Sequence, residues 1–146
     1  MPEDLKELMR RFVEEVWNQG NLDVVDQLAA PGCVTHDPAA PGGELRGPDG
    51  IKQLVSMYRK AFPDTRFVIN DLIVEGDEVA GRFTASGTHK GALMGIAPTG
   101  KRVSITGLTI TRFQDGKQVE SWASYDQVGM LQQLGALPSM QAAPTT

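Results

Sequence analysis

Cysteine is almost absent. Cys33 is the only one in 146 residues, so an internal disulfide is impossible and zinc sites built on several thiolates are excluded. A lone thiol fits a reducing compartment, and the cytoplasm is the expected location. Histidine is nearly as scarce, with His36 and His89 alone. No stretch concentrates lysine or arginine, and the net charge is −4. Neither nucleic acid nor an anionic membrane surface is therefore an expected partner. No apolar run approaches the roughly 20 residues that span a bilayer, and the opening Met-Pro-Glu-Asp-Leu-Lys has no signal-peptide core. Nucleophile elbow, P-loop and dinucleotide fingerprint are all missing. What is present is ordinary: 40% hydrophobic and 22% charged residues argue against disorder and against a fibre. The length suits one domain with one core, expected over 1–137. The Pro-Ser-Met-Gln-Ala-Ala-Pro-Thr-Thr tail, 138–146, is expected to be disordered.

Periodicity divides the chain in two. Leu5, Leu8, Met9, Phe12, Val13, Val16 and Trp17 follow helical spacing, and Gly20 ends that helix. A short second helix is expected over Leu22–Leu28, broken by Pro31 and Gly32, and a short strand over Cys33–Thr35. Pro38–Gly47 reads as a loop. Pro48 suits the first turn of a third helix, whose buried stripe is Ile51, Leu54, Val55, Tyr58 and Phe62. After Pro63 the pattern alternates. Strands are expected at Arg66–Glu75, Glu78–Thr88, Arg102–Phe113 and Gln118–Tyr125, the last two joined by the hairpin signal Gln-Asp-Gly-Lys. Gly91–Gly100 is a longer connection, and Val128–Leu134 a final short helix. Helices first and antiparallel strands later indicate an α+β fold, a curved sheet wrapped around the N-terminal helices. Phe67, Ile69 and Ile73 alternate with Val68, Leu72 and Val74, so both faces of that strand carry apolar side chains. The face away from the helices also needs cover, which a second copy would supply, and a homodimer is expected.

The residues able to carry chemistry are few. Trp122, Ser124 and Asp126 share a strand face, so an inward Trp122 would bring Asp126 inward too. A carboxylate held away from water has a raised pKa and suits proton transfer near neutral pH. The alternative is that Asp126 only caps the helix that follows it. His36, in Cys-Val-Thr-His-Asp-Pro, and His89, beside the Gly-rich connection, can exchange protons or donate to an oxyanion; an isolated His36 reads rather as a loop histidine bonded to backbone, and His89 is equally a solvated loop histidine. His36, Asp37 and His89 could bind a metal in principle, but no dense ligand cluster supports one, and neither a metal nor another cofactor is expected. Arg82 reads as solvent-facing, with a pocket cation as the sharper alternative. Tyr58 belongs to the core with its hydroxyl free to reach a cavity. Met94 is adaptable packing, or part of a pocket for a flat ligand.

Several stretches together resemble a known family. Gly-Thr-His-Lys-Gly-Ala-Leu-Met-Gly-Ile-Ala-Pro-Thr-Gly-Lys-Arg-Val, then Phe-Gln-Asp-Gly-Lys-Gln-Val-Glu-Ser-Trp-Ala-Ser-Tyr-Asp, then Leu-Gln-Gln-Leu-Gly are similar to the SnoaL-like polyketide cyclases and ester cyclases. Trp-Asn-Gln-Gly-Asn-Leu-Asp and Thr-His-Asp-Pro fit the same pattern, which covers roughly Leu5 to Leu137. The resemblance implies a cone-shaped α+β barrel of the ketosteroid-isomerase superfamily with a deep pocket, and a homodimer packed through the sheets. It implies that Asp126, in the Trp-x-x-x-Asp pattern from Trp122, is the acid/base, with His36 and His89 approaching the same pocket. Trp122, Tyr58, Arg82 and Met94 are the expected substrate contacts. One departure stands out: Thr109, Thr111 and Arg112 occupy the strand where the antibiotic cyclases carry a further histidine.

The implied reaction is cofactor-free proton abstraction and aldol-type ring closure on a small carbonyl compound, apolar or polyketide-like. An isomerase or hydrolase acting on a small apolar molecule, or a binding protein without turnover, would use the same pocket.

Overall fold

The computed structural model describes residues 2–138. Apart from Pro138, the tail expected to be disordered lies outside the described residues.

The N-terminal apolar stripe forms α1 (Pro2–Arg11), which runs on as a wider π-helical segment, Phe12–Asn18. Gly20 stops it at φ +74°, a left-handed angle that glycine adopts freely. Arg59 closes the end: its guanidinium donates to the carbonyls of Trp17 at 2.7 Å and Asn18 at 3.1 Å. A Cβ on Gly20 would meet that guanidinium at 2.6 Å. Next come α2 (Asp23–Leu28) and β1 (Ala29–His36). β1 is longer than its sequence suggests because Pro31 and Gly32 are absorbed at an irregularity between Ala29 and Val34. The expected loop then contains a three-residue strand, β2 (Glu44–Arg46), which pairs antiparallel with β1. It carries no alternation long enough to read.

Helix α3 (Gly47–Ala61) starts on Pro48 and buries Ile51, Leu54 and Val55. Four strands follow: β3 (Arg66–Glu75), β4 (Glu78–Thr88), β5 (Arg102–Gln114) and β6 (Lys117–Tyr125), then α4 (Gln127–Gln133). The fold is mixed α+β: a curved, open six-stranded sheet in the order β2-β1-β6-β5-β4-β3, with helices on its concave side. The sheet is antiparallel except at one place. β1 runs parallel to β6, with Thr35 opposite Ser121 and His36 opposite Trp122.

Two bulges decide which side chains face the helices. In β3 the register slips between Ile69 and Asp71. One extra residue reverses the alternation beyond it. Phe67 and Ile69 face inward before the slip and Leu72 and Val74 after it, while Ile73 is left 67% exposed. In β6 the slip opposite Arg112 and Phe113 lets Gln118 and Ser121 both face inward.

The main core packs Phe12, Val16, Val24, Val25, Leu28, Cys33, Ile51 and Val55 between the N-terminal helices, β1 and α3. A second cluster joins Phe62, Leu93, Val103, Met130 and Leu134 under α4. Between these clusters and the sheet the packing is incomplete, and a cavity remains.

Candidate active site

The cavity has a volume of about 150 Å³ and opens between the helices and the concave face of the sheet. Its walls are mainly apolar, with Phe12, Trp17, Leu54, Phe67, Phe83 and Ile105 among them. The π-helical segment brings Phe12, Val13 and Trp17 to the same wall.

The polar groups converge at one place. Asp37 follows the last residue of β1, two residues beyond Thr35 on the same face, and is 6% exposed. A turn fixes its carboxylate: the Ala39 N–H donates to Oδ1 at 2.9 Å, the arrangement a short Asp side chain favours before a turn. Its backbone N–H donates to the Gly43 carbonyl at 3.1 Å. Tyr125, the last residue of β6, donates its hydroxyl to the same Oδ1 at 2.8 Å. The Tyr58 hydroxyl, from α3, lies 2.5 Å from that of Tyr125. Tyr125 has one proton and gives it to Asp37, so Tyr58 donates to Tyr125. All three line the cavity. Room for Tyr125 comes from Gly107, its partner in the ladder. A Cβ there would lie 2.5 Å from Phe83 and 2.8 Å from the Tyr125 Cβ.

The electrostatics follow from burial. Loss of solvent pushes the Asp37 carboxyl above its ordinary range, against the two N–H and O–H donors that favour the anion. Burial likewise pushes Tyr58 up to about 12, so it stays a proton donor at neutral pH. Tyr125 is raised too, by burial first and then by Tyr58 and Asp37 beside it. The arrangement is a buried carboxylate at the end of a two-tyrosine chain. Both described hydrogen bonds to the Asp37 carboxylate end on Oδ1, which leaves Oδ2 to take a proton.

Of the residues picked out by sequence, Tyr58 and Arg82 line the cavity and the others lie elsewhere. Asp126 is exposed, and its Oδ1 accepts from the Gly129 N–H at 2.8 Å at the start of α4. That is the capping alternative. The inward face of β6 is Ser121, Ala123 and Tyr125; Trp122 is on the outer face, 38% exposed. Asp126 does share the face of Trp122, and that face is the outer one. Trp122 is not covered by a packed core but stacks on His36, with ring centroids 5.4 Å apart and planes 11° apart. His36 Nε2 is 2.7 Å from Glu120 Oε2, outside the cavity wall. His89 is fully buried under the connection that follows β4. Its Nδ1 accepts from the Thr99 N–H at 3.1 Å and lies 3.0 Å from the Thr99 hydroxyl. The two histidines and Asp126 are not brought together. Arg82 contributes to the cavity wall, yet its guanidinium is held by Asp71 at 2.6 Å and is half exposed. Met94 is 45% exposed at φ +50° in the same connection as Thr99. Among the described residues no three His, Cys, Asp or Glu side chains gather to hold a metal.

Asp37 and Tyr125 had a signal in the sequence. Cys33, Thr35 and Asp37 alternate, with the apolar Cys33 as a candidate inward marker, and Tyr125, next to Asp126, falls on the opposite parity from Trp122. Nothing in the sequence showed which marker to follow.

A SnoaL-like polyketide cyclase model matches residues 7–134. The chain is 30% identical over 135 residues to the aklanonic acid methyl ester cyclase DauD of Streptomyces sp. (strain C5), covering 88% of this chain and 80% of that protein. It is 31% identical to the aklanonic acid methyl ester cyclase DnrD of Streptomyces peucetius, covering 88% and 89%. Among solved structures, TsrD from Streptomyces laurentii superposes with a TM-score of 0.83 at 29% identity, covering 94% of this chain and 98% of that one.

Proposed function

The chain belongs to the SnoaL-like polyketide cyclase family, and from that premise we propose that it closes a ring by intramolecular aldol chemistry, with Asp37 as the acid/base. The observation that carries the reading is the buried Asp37 carboxylate at the end of the Tyr125–Tyr58 chain, inside an apolar cavity.

The steps balance without a further reagent. Asp37 Oδ2 takes a proton from a carbon flanked by carbonyl groups, and the electron pair of that C–H bond moves onto a carbonyl oxygen as an enolate. Tyr58, protonated at neutral pH, turns its hydroxyl from Tyr125 to that oxygen and stabilises its charge. The enolate carbon attacks a second carbonyl in the same molecule, forming the ring C–C bond. The new alkoxide takes the proton back from Asp37. The carbon acid is already activated by two carbonyls, so a carboxylate with a raised pKa is a sufficient base. The apolar walls keep the chain folded on itself, which lowers the entropic part of the barrier. Tyr125 is a positioning residue: it holds the Asp37 carboxylate and links it to Tyr58.

Two curated relatives are named for aklanonic acid methyl ester, so that compound is the first substrate to try. Cyclised product is followed by chromatography for the wild type and Asp37→Asn. Asn keeps the size and both acceptor bonds but cannot take the proton. Turnover by Asp37→Asn should fall by roughly two to four orders of magnitude. A variant as fast as the wild type would remove Asp37 from the chemistry.

A further inference from the structure

We propose that the cavity has a second polar station, formed by Thr35, Thr111 and Ser121, that binds a carbonyl or hydroxyl oxygen of the substrate remote from the reacting carbon. The proposal deepens the reading of the cavity as a substrate site and assigns it a ligand with oxygen functions at two places on an apolar body.

Three observations place the station. First, the register puts the three hydroxyl residues side by side: Thr111 opposite Ser121 across β5 and β6, and Ser121 opposite Thr35 across β6 and β1. All three line the cavity. Second, Thr35 is 8% exposed, and its Oγ1 is buried with no hydrogen-bond partner. Buried polar atoms are nearly always paired, and an unpaired one is destabilising. Third, Thr111 is 2% exposed and its hydroxyl lies 3.2 Å from that of Ser121. That bond uses one of the pair's two protons, so the pair retains a donor of its own. A ligand oxygen placed between Thr35 and this pair would satisfy all of them.

The geometry also sets the ligand's shape. Thr35 and Asp37 lie two residues apart on one strand face, so their Cα atoms are about 6.5–7 Å apart. Thr111 lies next to Val79 on β4, and Ser121 and Tyr125 are separated by the small Ala123. A flat ligand therefore crosses apolar wall between the two stations. None of the three hydroxyls is an acid or base at neutral pH, so the station orients and selects; it does not move protons.

The test uses binding alone. Two flat probes are compared by titration: naphthalene, and 2,6-dihydroxynaphthalene, whose oxygens sit at opposite ends. The wild type should prefer the diol. Thr35→Val keeps the shape and removes the hydroxyl; it should weaken diol binding by roughly 2- to 12-fold, the worth of one hydrogen bond, and leave naphthalene unchanged. Ser121→Ala should act in the same direction, and Thr84→Val, on the outer face, should leave both probes unaffected. A crystal structure with the diol should put one oxygen within hydrogen-bond distance of Thr35 Oγ1. If Thr35→Val keeps the full diol preference, the hydroxyl does not contact the ligand and the proposal is overturned. A wild type that binds neither probe, or shows no preference, also overturns it. The acid/base role of Asp37 stands or falls separately, because Asp37→Asn is read by turnover and Thr35→Val by affinity.

Discussion

Removing the Tyr125 hydroxyl should cost more than removing that of Tyr58, and the excess should depend on pH. Tyr125→Phe keeps the ring and its edge contact with Tyr58 but deletes two bonds. One is the donation to the Asp37 carboxylate at 2.8 Å, in the class of hydrogen bonds to charged groups, about 1.5–3 kcal/mol. The other is the bond from Tyr58, neutral and about 0.5–1.5 kcal/mol. Together they amount to about 2–4.5 kcal/mol. Tyr58→Phe loses only the second. At roughly 2–4 °C per kcal/mol for a domain near this size, Tyr125→Phe should melt about 4–18 °C lower than the wild type, and Tyr58→Phe about 1–6 °C lower. The pH dependence follows from Asp37. Burial raises its folded pKa above the ordinary 3.8, and the Tyr125 bond holds it down. A raised folded carboxylate pKa means that stability is lost as pH rises through it. Without Tyr125 the folded pKa rises further, so the variant loses stability over a wider interval than the wild type does. The deficit should therefore grow from acid toward neutral pH and level off once Asp37 is ionised in both proteins. Thermal denaturation from pH 4 to pH 8 measures it. A deficit flat across that range, or a Tyr58→Phe variant as unstable as Tyr125→Phe, would refute the direction of the chain.

Asp126 gives an independent check. As the cap of α4, Asp126→Ala should lose about 0.5–2 kcal/mol in denaturant unfolding, Asp126→Asn far less, and both should keep wild-type turnover. Ligand-induced fluorescence should come from Trp17, which lines the cavity beside Phe67, so Trp17→Phe should abolish the response to a bound aromatic and Trp122→Phe should preserve it. On the outer face, Ile73, Ala80, Ile110 and Trp122 form one row across four strands, and Ile73 and Ile110 are exposed. Light scattering at micromolar concentration should give a dimer mass, and Ile110→Lys a monomer mass; a wild type that is monomeric throughout removes the second copy.

The helices and long strands were legible because their apolar periods run over many residues. Ile51, Leu54 and Val55 are spaced as an α3 stripe must be, and they are buried. Side-chain direction was less legible. Strict alternation groups Ile73 with Phe67 and Ile69, but the slip between Ile69 and Asp71 sends it to the other face. A bulge leaves no mark in a sequence whose two faces are both apolar, since either phase reads as reasonable. Trp122 misled for a related reason. Size suggested a buried anchor, but on an outer face a large ring also shields neighbours, here the imidazole of His36.

The site itself was hidden by chain separation. Asp37 and Tyr125 are 88 residues apart and meet at 2.8 Å because β1 lies parallel to β6. A parallel pair needs a long crossover, here most of the chain, and local patterns carry no information about it. Every other neighbouring pair in the sheet is antiparallel, so a hairpin-by-hairpin reading assembles β3 to β6 and leaves β1 unplaced. Once β1 is set beside β6, the register that seats His36 on Trp122 outside also seats Thr35 on Ser121 inside. Asp37, two residues past Thr35, then comes level with Ala123, where its carboxylate meets the hydroxyl of Tyr125 at the cavity. The same pairing makes the acid, its tyrosine and the hydroxyl row parts of one surface. A change that shifted β1 by one residue would therefore remove Thr35 and Asp37 from the cavity together, while Tyr125, Ser121 and Thr111, set by the β5–β6 pairing, would keep their places and lose both partners.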